Sequence, residues 1–350
     1  MQINWLAKNY SYQKLILAGD VGGTNANIGL IAQNDHGFTV VADCVLKTPA
    51  ITDFAESLKS VLAEFQKTDP SLKPDSCCIS AAGPIIENRC KLSNSSLIID
   101  QQSIQNTIGI KTCLINDFLA ISYGLALLDI EDSKQITVLR NTPQIGCLRA
   151  VAGAGTGLGV GIFIEQAQEY KAFPSEGGHM LFAPFDDETK AFYDYLAKGA
   201  ENLIEAESFV SGKGIINAFN FFKDVKKCPP DEIISEIGRA PESSKPQLIS
   251  EYAAENAFCH EVLKLFIKCY AGFAANLAAV LIPTMGLYLA GGIVTKNKKY
   301  FAEEDFFINC FDKYFPPNVK DLTGSIPVYI VNDYSVSLYG AANFACCIKN

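Results

Sequence analysis

The sequence has few charges and few histidines, and these absences exclude several classes of protein. Charged residues make up 19% of the 350 residues, the net charge is −9, and no long basic run occurs. Nucleic acids and anionic membranes bind basic surfaces, so neither is expected as a main partner. The three histidines, His36, His179 and His260, form no His-Glu-x-x-His motif, which argues against that type of zinc hydrolase.

Regular cysteine spacings, a signal peptide and a membrane span are also lacking. The 12 cysteines never occur as Cys-x-x-Cys and lie in apolar stretches, which favours buried, reduced thiols and a cytoplasmic location. Residues 1–14 lack the apolar core of a signal peptide and are interpreted as an amino-terminal extension. The uncharged span from Cys269 to Thr295 is interrupted by Asn276, Pro283 and Gly291, and it predicts a helix followed by a buried strand.

The common nucleotide-binding motifs fail on single residues. Leu158 stands where a Gly-x-Gly-x-x-Gly motif beginning at Gly153 needs its last glycine, which disfavours a Rossmann site. A Walker loop ending at Gly212-Lys213 would need glycine where Glu207 stands. No Gly-x-Ser-x-Gly elbow is present either.

What the chain does contain is a glycine turn near its start, Gly-Asp-Val-Gly-Gly-Thr-Asn at Gly19 to Asn25. Apolar runs on both sides predict a hairpin. Glycine lets a ligand approach the backbone, and successive N–H groups in such a turn bind anions. Asp20 would repel phosphates unless a cation such as Mg²⁺ lay between them. On this stretch alone, a plain hairpin in which Asp20 and Thr24 satisfy their own turn is an equal alternative.

A second glycine turn, Gly153 to Gly159, again lies between two apolar strands, and a third glycine pair is Gly291-Gly292. We interpret the first two as a weak internal repeat that gives two similar lobes. The predicted strands and helices indicate an α/β fold in which helices cover mixed sheets. Lys223 to Pro246, rich in charge and proline, is interpreted as a surface excursion.

Several polar residues are candidates for binding a neutral, hydroxyl-rich ligand. Asn116-Asp117 follows a predicted strand, where ligands bind in α/β sheets, although Asp117 is also a good helix N-cap. Glu176-Gly-Gly-His179 suits a loop pressed onto a small ligand, or a plain polar turn. Glu207 alone would be an exposed helix glutamate. Such side chains bind sugar hydroxyls in pairs, and phosphoryl transfer needs a phosphate cradle, a metal and a base.

In their order along the chain these stretches resemble the bacterial-type glucokinase family, ATP-dependent hexose kinases of the actin/hexokinase/Hsp70 fold. The resemblance covers nearly the whole chain. The matching stretches are Leu17–Asn25, Ile115–Phe118, Gly153–Gly159, Pro174–His179, Ala206–Gly212 and Leu289–Val294.

The resemblance implies a two-lobed actin-like ATPase (ribonuclease H-like) fold, each lobe a mixed sheet flanked by helices. The small α/β domain would comprise residues 15–119 and 335–350, and the large one residues 120–334. The implied activity is ATP-dependent phosphorylation of glucose to glucose 6-phosphate. Glucose and ATP are the implied ligands, and Mg²⁺ is the implied metal. The resemblance is also compatible with a homodimer.

The resemblance also implies a role for each motif. Asp117 would be the catalytic base. The residues that would hold the glucose hydroxyls are Asn116, Asp117, Glu176, His179 and Glu207. Those that would hold the ATP phosphates are Gly19, Asp20, Val21, Gly22, Gly23, Thr24, Gly155, Thr156 and Gly157. Gly291 and Gly292 would face the adenosine, and Asp20 would face Mg²⁺.

The chain departs from the family at Asn27, where the family usually has arginine, so any salt bridge made there is in doubt. No cysteine-rich zinc motif follows His179, unlike in the related repressor/ORF/kinase family. Two alternatives stay open: a kinase for fructose or mannose, and a non-catalytic sugar sensor on the same fold. Asp117 favours the enzyme, because a sensor needs no base.

Overall fold

The computed structural model describes residues 2–7, 10–92, 95–166, 169–173, 175–199, 203–226, 231–313, 315–333 and 335–347. By its contacts the chain divides into two compact units. The first unit comprises Met1–Asp129, Ala167–Pro174 and Ser335–Asn350, and the second comprises Ile130–Gln166 and Ser175–Tyr334. The domain bounds inferred from the sequence stay a prediction; the division by contacts keeps the residues from 120 to Asp129 with the first unit.

The described residues form the following strands and helices. The strands are β1 (Ile3–Trp5), β2 (Lys14–Val21), β3 (Asn25–Asn34), β4 (Gly37–Lys47), β5 (Ser76–Ala81), β6 (Ile85–Ile86), β7 (Arg89–Lys91), β8 (Ile98–Asp100), β9 (Thr112–Asn116), β10 (Ile136–Arg140), β11 (Leu148–Ala154), β12 (Leu158–Gln166), β13 (Glu169–Phe173), β14 (Leu287–Ala290) and β15 (Val328–Val331). The α-helices are α1 (Phe54–Thr68), α2 (Gln101–Ile108), α3 (Asp117–Leu125), α4 (Asp187–Ala197), α5 (Gly212–Val225), α6 (Glu232–Arg239), α7 (Lys245–Tyr252), α8 (Ala257–Leu281), α9 (Gly292–Ala302), α10 (Phe306–Asp312), α11 (Pro317–Gly324) and α12 (Val336–Cys347).

A six-stranded mixed sheet forms the centre of the first unit, in the order β1-β4-β3-β2-β5-β9. Strands β4, β3 and β2 are antiparallel neighbours, whereas β2, β5 and β9 run parallel. Strand β2 is buried on both faces: Leu15 and Leu17 share an apolar cluster with α1, and Ile16 and Ala18 share another with α12. A strand covered on both faces is a continuous apolar run, which explains the sequence pattern there.

The amino-terminal extension is not free of structure. Ile3–Trp5 forms β1, which pairs antiparallel with β4 at the edge of the sheet. The Trp5 ring packs edge-on against Phe65 of α1, with the ring centroids 6.2 Å apart. The interpretation of residues 1–14 as an amino-terminal extension stays a prediction, and the strand at Ile3–Trp5 within it was not foreseen. A three-residue strand is too short to produce a recognisable periodicity.

Helices α3 and α12 pack closely enough to fix the start of α3. A Cβ at Gly340 of α12 would clash with the Ala120 carbonyl of α3. The Asn343 amide in α12 donates to the Tyr123 carbonyl at 2.9 Å. Since α3 begins at Asp117, this contact holds that residue at the end of β9.

The second unit repeats the arrangement of the first. Its sheet contains the order β10-β15-β14-β11-β12. The β11–β12 pair is an antiparallel hairpin, and β11, β14 and β15 run parallel, as β2, β5 and β9 do in the first unit. The prediction of mixed sheets flanked by helices, with a repeated strand–turn–strand unit, is confirmed.

Helix α8 is the long core helix of the second unit. It is the one described helix long and apolar enough to span a membrane, and 78% of its apolar window is buried. Its Tyr270 hydroxyl donates to the Ala152 carbonyl of β11 at 2.7 Å. The predicted succession of helix and buried strand is confirmed by α8 and β14, whose four residues are all buried.

The segment from Lys223 to Pro246 does not lie wholly on the surface. It contains helix α6, whose Ile237 is fully buried in the main apolar cluster of the second unit, beside Ile234. The side chain of Asp231 caps the helix by accepting from the Ile234 N–H at 3.1 Å. Residues 227–230 lie outside the described part of the chain. The interpretation as a surface excursion does not hold for α6, because Ile234 and Ile237 are buried although the segment as a whole is rich in charge and proline.

Eleven of the 12 cysteines lie within the described residues, and all eleven are free thiols. Seven of them are buried and the other four are partly buried. The expectation of buried, reduced thiols agrees with this arrangement; Cys228 lies outside the described residues.

Candidate active site

The first glycine turn joins β2 to β3 at the carboxyl end of β2. The Gly22 N–H donates to the Asn25 carbonyl at 2.9 Å, and Thr48 donates its hydroxyl to the Gly22 carbonyl at 2.7 Å. Gly22 and Gly23 do not use positive φ angles. A Cβ at Gly22 would find its nearest neighbour, the Asn25 carbonyl oxygen, at 3.6 Å. The space beside the turn is therefore open to a ligand.

Asp20 lies two residues before Gly22, and both of its oxygens accept hydrogen bonds. Ser80 of β5 donates to Oδ1 at 3.1 Å, and Ser337 of α12 donates to Oδ2 at 2.8 Å. Burial raises the pKa of Asp20, and the two serine hydrogen bonds partly oppose that rise. A desolvated carboxylate held by neutral donors suits a cationic ligand.

The other predicted phosphate residues of this turn differ in exposure. Thr24 is exposed at the tip of the hairpin, whereas Val21 is fully buried, so only its backbone can reach a ligand. A Cβ at Gly19 would lie 2.8 Å from the Ile79 side chain of β5. Packing on β5 is thus sufficient to explain this glycine.

The second glycine turn, between β11 and β12, is braced from outside. The Gly155 carbonyl accepts from the Gly212 N–H at 2.8 Å, at the start of α5. Thr156 is exposed, and a Cβ at Gly155 would meet nothing within 4 Å. A Cβ at Gly157, by contrast, would lie 2.6 Å from Oε2 of Glu207. The turn is open on one side and closed by a carboxylate on the other.

Gly291 follows β14 and precedes α9, beside the second turn. Its φ of 99° is in the left-handed region, and a Cβ there would clash with the Ala154 carbonyl. Only glycine fits this position. Gly291 is also the N-cap of α9. Because glycine has no side chain, the cap offers no side-chain acceptor to the first N–H groups of the helix.

Asn116 and Asp117 stand where β9 passes into α3, and the structure separates their local roles. Asn116 is the N-cap: its Oδ1 accepts from the N–H groups of Phe118 and Leu119 at 2.9 and 3.3 Å. Its Nδ2 donates to the Gly83 carbonyl at 3.2 Å. Asp117 is the first helical residue. The alternative in which Asp117 is the N-cap is therefore wrong, although its Oδ1 also accepts from the Phe118 N–H at 3.0 Å.

Glu176 and His179 flank a single 3₁₀ turn, Gly177–His179, that packs on β12. A Cβ at Gly178 would clash with the Leu158 carbonyl, which explains the glycine by packing. The Nε2 atom of His179 lies 3.9 Å from Oε2 of Glu176, and both side chains are more than half exposed. The two polar groups therefore face solvent on the same side of the turn.

Glu207 reaches the second glycine turn from the 3₁₀ turn Ala206–Ser208. Its Oε2 accepts from the Leu158 N–H at 2.9 Å. The second unit thus brings Glu176, His179 and Glu207 close to β12. The first unit aligns the carboxyl ends of β2, β5 and β9, with Asp20 beside Ser80 and Ala81 beside Asn116 in register.

Sequence reasoning missed three polar residues of these sites, namely Ser80, Ser337 and Glu205. Nδ1 of His179 lies 2.8 Å from Oε2 of Glu205. This hydrogen bond raises the pKa of His179 above its usual value, and so do the negative charges of Glu205, Glu207 and Glu176. Desolvation by burial opposes the rise without cancelling it. The one available signal was a second glutamate, Glu205, two residues before Glu207.

The chain is similar in sequence and in structure to known glucokinases. The glucokinase family model matches residues 17–347. The chain is 34% identical over 342 residues to a glucokinase of Nostoc punctiforme, covering 94% of this chain and 98% of that one. A glucokinase from an Antarctic psychrotroph has a similar crystal structure, with a TM-score of 0.78, 25% identity and coverage of 95% and 98%.

A more distant structure shares the fold. The crystal structure of a ROK family glucokinase from Streptomyces griseus, in complex with glucose and AMPPNP, has a TM-score of 0.63 and 16% identity and covers 94% of this chain and 98% of that one. The predicted resemblance and the actin-like fold are thereby confirmed. The chain belongs to the glucokinase family, and its activity is the phosphorylation of glucose with ATP as the implied donor.

Proposed function

We propose that Asp117 is the general base that takes the proton of the 6-hydroxyl of glucose. The observation that carries the proposal is the position of Asp117: Asn116 is the N-cap of α3, and Asp117 follows it as the first helical residue at the end of β9, where its Oδ1 accepts from the Phe118 N–H at 3.0 Å. Its carboxylate stands at the first position of the helix, where the helix dipole favours negative charge.

In the reaction, the oxygen of the hydroxyl forms a bond to the γ-phosphorus of ATP while the bond from that phosphorus to ADP breaks. The proton of the hydroxyl passes to Asp117. In a loose transition state the proton leaves late, so a carboxylate suffices as the acceptor. Positioning and charge stabilisation supply most of the remaining rate enhancement.

Glucose itself would be held by Asn116, Glu176, His179 and Glu207. Asn116 uses its oxygen for the helix cap and one amide hydrogen for Gly83, so it has one amide hydrogen left for a sugar. Glu207 has Oε1 left, since Oε2 accepts from Leu158. The exposure of Glu176 and His179 supports the assignment. The Streptomyces griseus glucokinase, which shares the fold, is a complex with glucose, in keeping with glucose as the sugar.

The two glycine turns would cradle the phosphates of ATP; the same relative is a complex with the nucleotide AMPPNP, in keeping with ATP as the donor. The open space at Gly22 and Gly155 fits close approach of phosphate oxygens. The Gly291-Gly292 segment, with the start of α9, would face the adenosine.

Mg²⁺ fits the donor set at Asp20. The described residues contain no group of three metal-ligating side chains, so an ion here would take its other ligands from phosphate oxygens and water, as Mg²⁺ commonly does. When bound, the ion would neutralise charge on the transferred phosphoryl group. The residues of this chain would hold it through Asp20, which Ser80 and Ser337 orient.

The family resemblance further supports a cytoplasmic homodimer. The eleven free thiols are in keeping with a reducing compartment. Sedimentation of the purified enzyme across a concentration series tests the oligomeric state, and a monomer at all concentrations would contradict the dimer.

The Asp117→Asn variant tests the proposed base. Asparagine keeps the shape and removes the proton acceptor, so kcat is expected to fall by at least about a hundredfold. Glucose binding, measured by direct titration, and the melting temperature are expected to change little. Steady-state kinetics with glucose, fructose and mannose should keep glucose as the preferred sugar for the parent enzyme.

Asp53→Asn is a matched control, because Asp53 caps α1 in the same unit through the Glu56 N–H and has no proposed catalytic task. Its kcat should equal that of the parent. Near-normal turnover by Asp117→Asn would place the base elsewhere.

A further inference from the structure

His179 is held by a carboxylate that the proposed function does not use. Its Nδ1 atom lies 2.8 Å from Oε2 of Glu205, whose side chain is 45% exposed. This carboxylate comes from a separate segment, 26 residues further along the chain. An approach of this kind between two surface side chains is informative only if the backbone enforces it.

The backbone does enforce it. Leu181 and Glu205 form an antiparallel bridge. On either side of it, the Ala206 N–H donates to the Met180 carbonyl at 2.7 Å, and the Phe182 N–H donates to the Ile204 carbonyl at 3.2 Å. These bonds fix the register of the two segments, so Glu205 is held opposite the end of the turn that carries His179.

The same register gives each residue of the second segment a separate task. Ala206 is fully buried, and Glu207 accepts from the Leu158 N–H of the second glycine turn. The side chain of Glu205 instead contacts the imidazole ring of His179.

We propose that Glu205 is the positioning residue for His179: it accepts from Nδ1–H and so presents Nε2 to a sugar hydroxyl that also contacts Glu176. This inference rests on the proposed sugar-binding role of His179. Fixing one ring nitrogen by a carboxylate determines what the other can do. The 3.9 Å separation of Nε2 from Oε2 of Glu176 allows one hydroxyl to contact both groups.

Charge gives Glu205 a second effect. The charged groups that face the ring are Glu176 on its own turn and Glu205 and Glu207 on the neighbouring segment, and all three raise the pKa of His179. Protonated His179 donates through Nε2–H, while the sugar hydroxyl donates its own hydrogen to Glu176. As the pH rises through the pKa of His179 this donor is lost, and glucose should bind less well.

Two substitutions separate orientation from charge. Glu205→Ala removes both, and should raise the KM for glucose about threefold to tenfold at every pH while leaving the KM for ATP unchanged. Glu205→Gln keeps an oxygen that accepts from Nδ1–H but removes the charge. Its KM for glucose should approach that of the parent at acid pH. As the pH is raised, this KM should begin to increase at a lower pH than the KM of the parent does.

The ring can be followed without activity. The chain has three histidines, so ¹³C and ¹⁵N imidazole signals are few, and the loss of one in His179→Gln assigns it. The pKa of His179 should fall in Glu205→Gln, and in the parent the neutral ring should be protonated at Nδ1. Glu303→Gln is the matched control, because Glu303 makes a similar 3.1 Å contact with Nε2 of His260 away from the site.

The outcomes are separable. If His179→Gln leaves the KM for glucose unchanged, the assignment of His179 to the sugar is wrong. If His179→Gln raises that KM while both Glu205 variants keep the parent value and the parent titration, Glu205 is not a positioning residue and the proposed function stands. An equal rise in KM for Glu303→Gln would mean that any lost surface contact has this effect, and would also overturn the inference.

Discussion

The two glycine turns close equivalent hairpins in the two units, but they obtain their carboxylates differently. In the first, Asp20 belongs to the strand that enters the turn. In the second, the residues from Gly153 to Gly159 contain no acid, and Glu207 reaches Gly157 from a separate segment. The hairpins have the same neighbours, a parallel strand beside the first strand of each.

The difference shows two ways of building a polar site on one topology. Asp20 is set by the local strand, and distant residues, Ser80 and Ser337, only orient it. Glu207 depends on the pairing of its segment with residues 180–182. The first site should therefore be sensitive to the acid itself, and the second to anything that moves the segment.

The largest effect is expected from Asp20→Asn. If Asp20 contacts Mg²⁺, losing its charge removes several kcal/mol of stabilisation, and kcat/KM for ATP should fall on the order of a hundredfold. Excess chelator should likewise abolish the activity of the parent, and added Mg²⁺ should restore it. Full activity in chelator would break the assignment.

The stability of Asp20→Asn should move in the other direction. Burial raises the pKa of Asp20 in the folded protein above its value in the unfolded chain. Ionisation of this carboxyl therefore opposes folding at pH values above the pKa of the unfolded chain. Asparagine carries no charge, and its melting temperature near pH 7 should be at least that of the parent. The difference should shrink as the pH falls and Asp20 takes up its proton. Asp43→Asn, on strand β4, is the control.

A smaller effect is expected from Gly157→Ala. The new Cβ would lie 2.6 Å from Oε2 of Glu207. The carboxylate must therefore move, which breaks the hydrogen bond that it accepts from the Leu158 N–H. We expect the KM for glucose to rise roughly tenfold, as for one lost charged hydrogen bond. Gly155→Ala, with nothing within 4 Å of its Cβ, leaves Glu207 in place and should not change the KM for glucose. Equal glucose kinetics in the two variants would contradict the role of Glu207.

The sequence predicted the parts of the site that are local in the chain. Glycine turns between apolar runs, and a polar pair at the end of a strand, are visible within ten residues or so because strand periodicity and turn chemistry are short-range. Asn116-Asp117 was placed correctly at the end of β9, although which of the two caps the helix required the hydrogen bonds.

What the sequence could not predict depends on pairing over long distances. Ser337 meets Asp20 across 317 residues, and no local pattern indicates it. Glu205 was overlooked because its partner is fixed by a bridge of one residue pair, too short for a strand signal. Gly22 and Gly23 of the first turn do not have positive φ, and what the sequence could not show is that the space beside Gly22 is open.

The smallest effect, and the finest test of the comparison, is Gly22→Ala. The fold offers no steric reason for glycine here: φ is not positive, and the nearest atom to an added Cβ is 3.6 Å away. Alanine should leave stability unchanged or raise it by about 0.4–1 kcal/mol through the unfolded state. If phosphates bind to this backbone, the added methyl group would occupy part of their space, and the KM for ATP should rise roughly threefold to tenfold.

Gly238→Ala in α6 is the control, because its Cβ would also lie in open space. It should show the stability gain with parental kinetics. Parental ATP kinetics in Gly22→Ala would mean that the first turn does not hold phosphates through its backbone, and that the two hairpins differ in function as well as in the origin of their carboxylates.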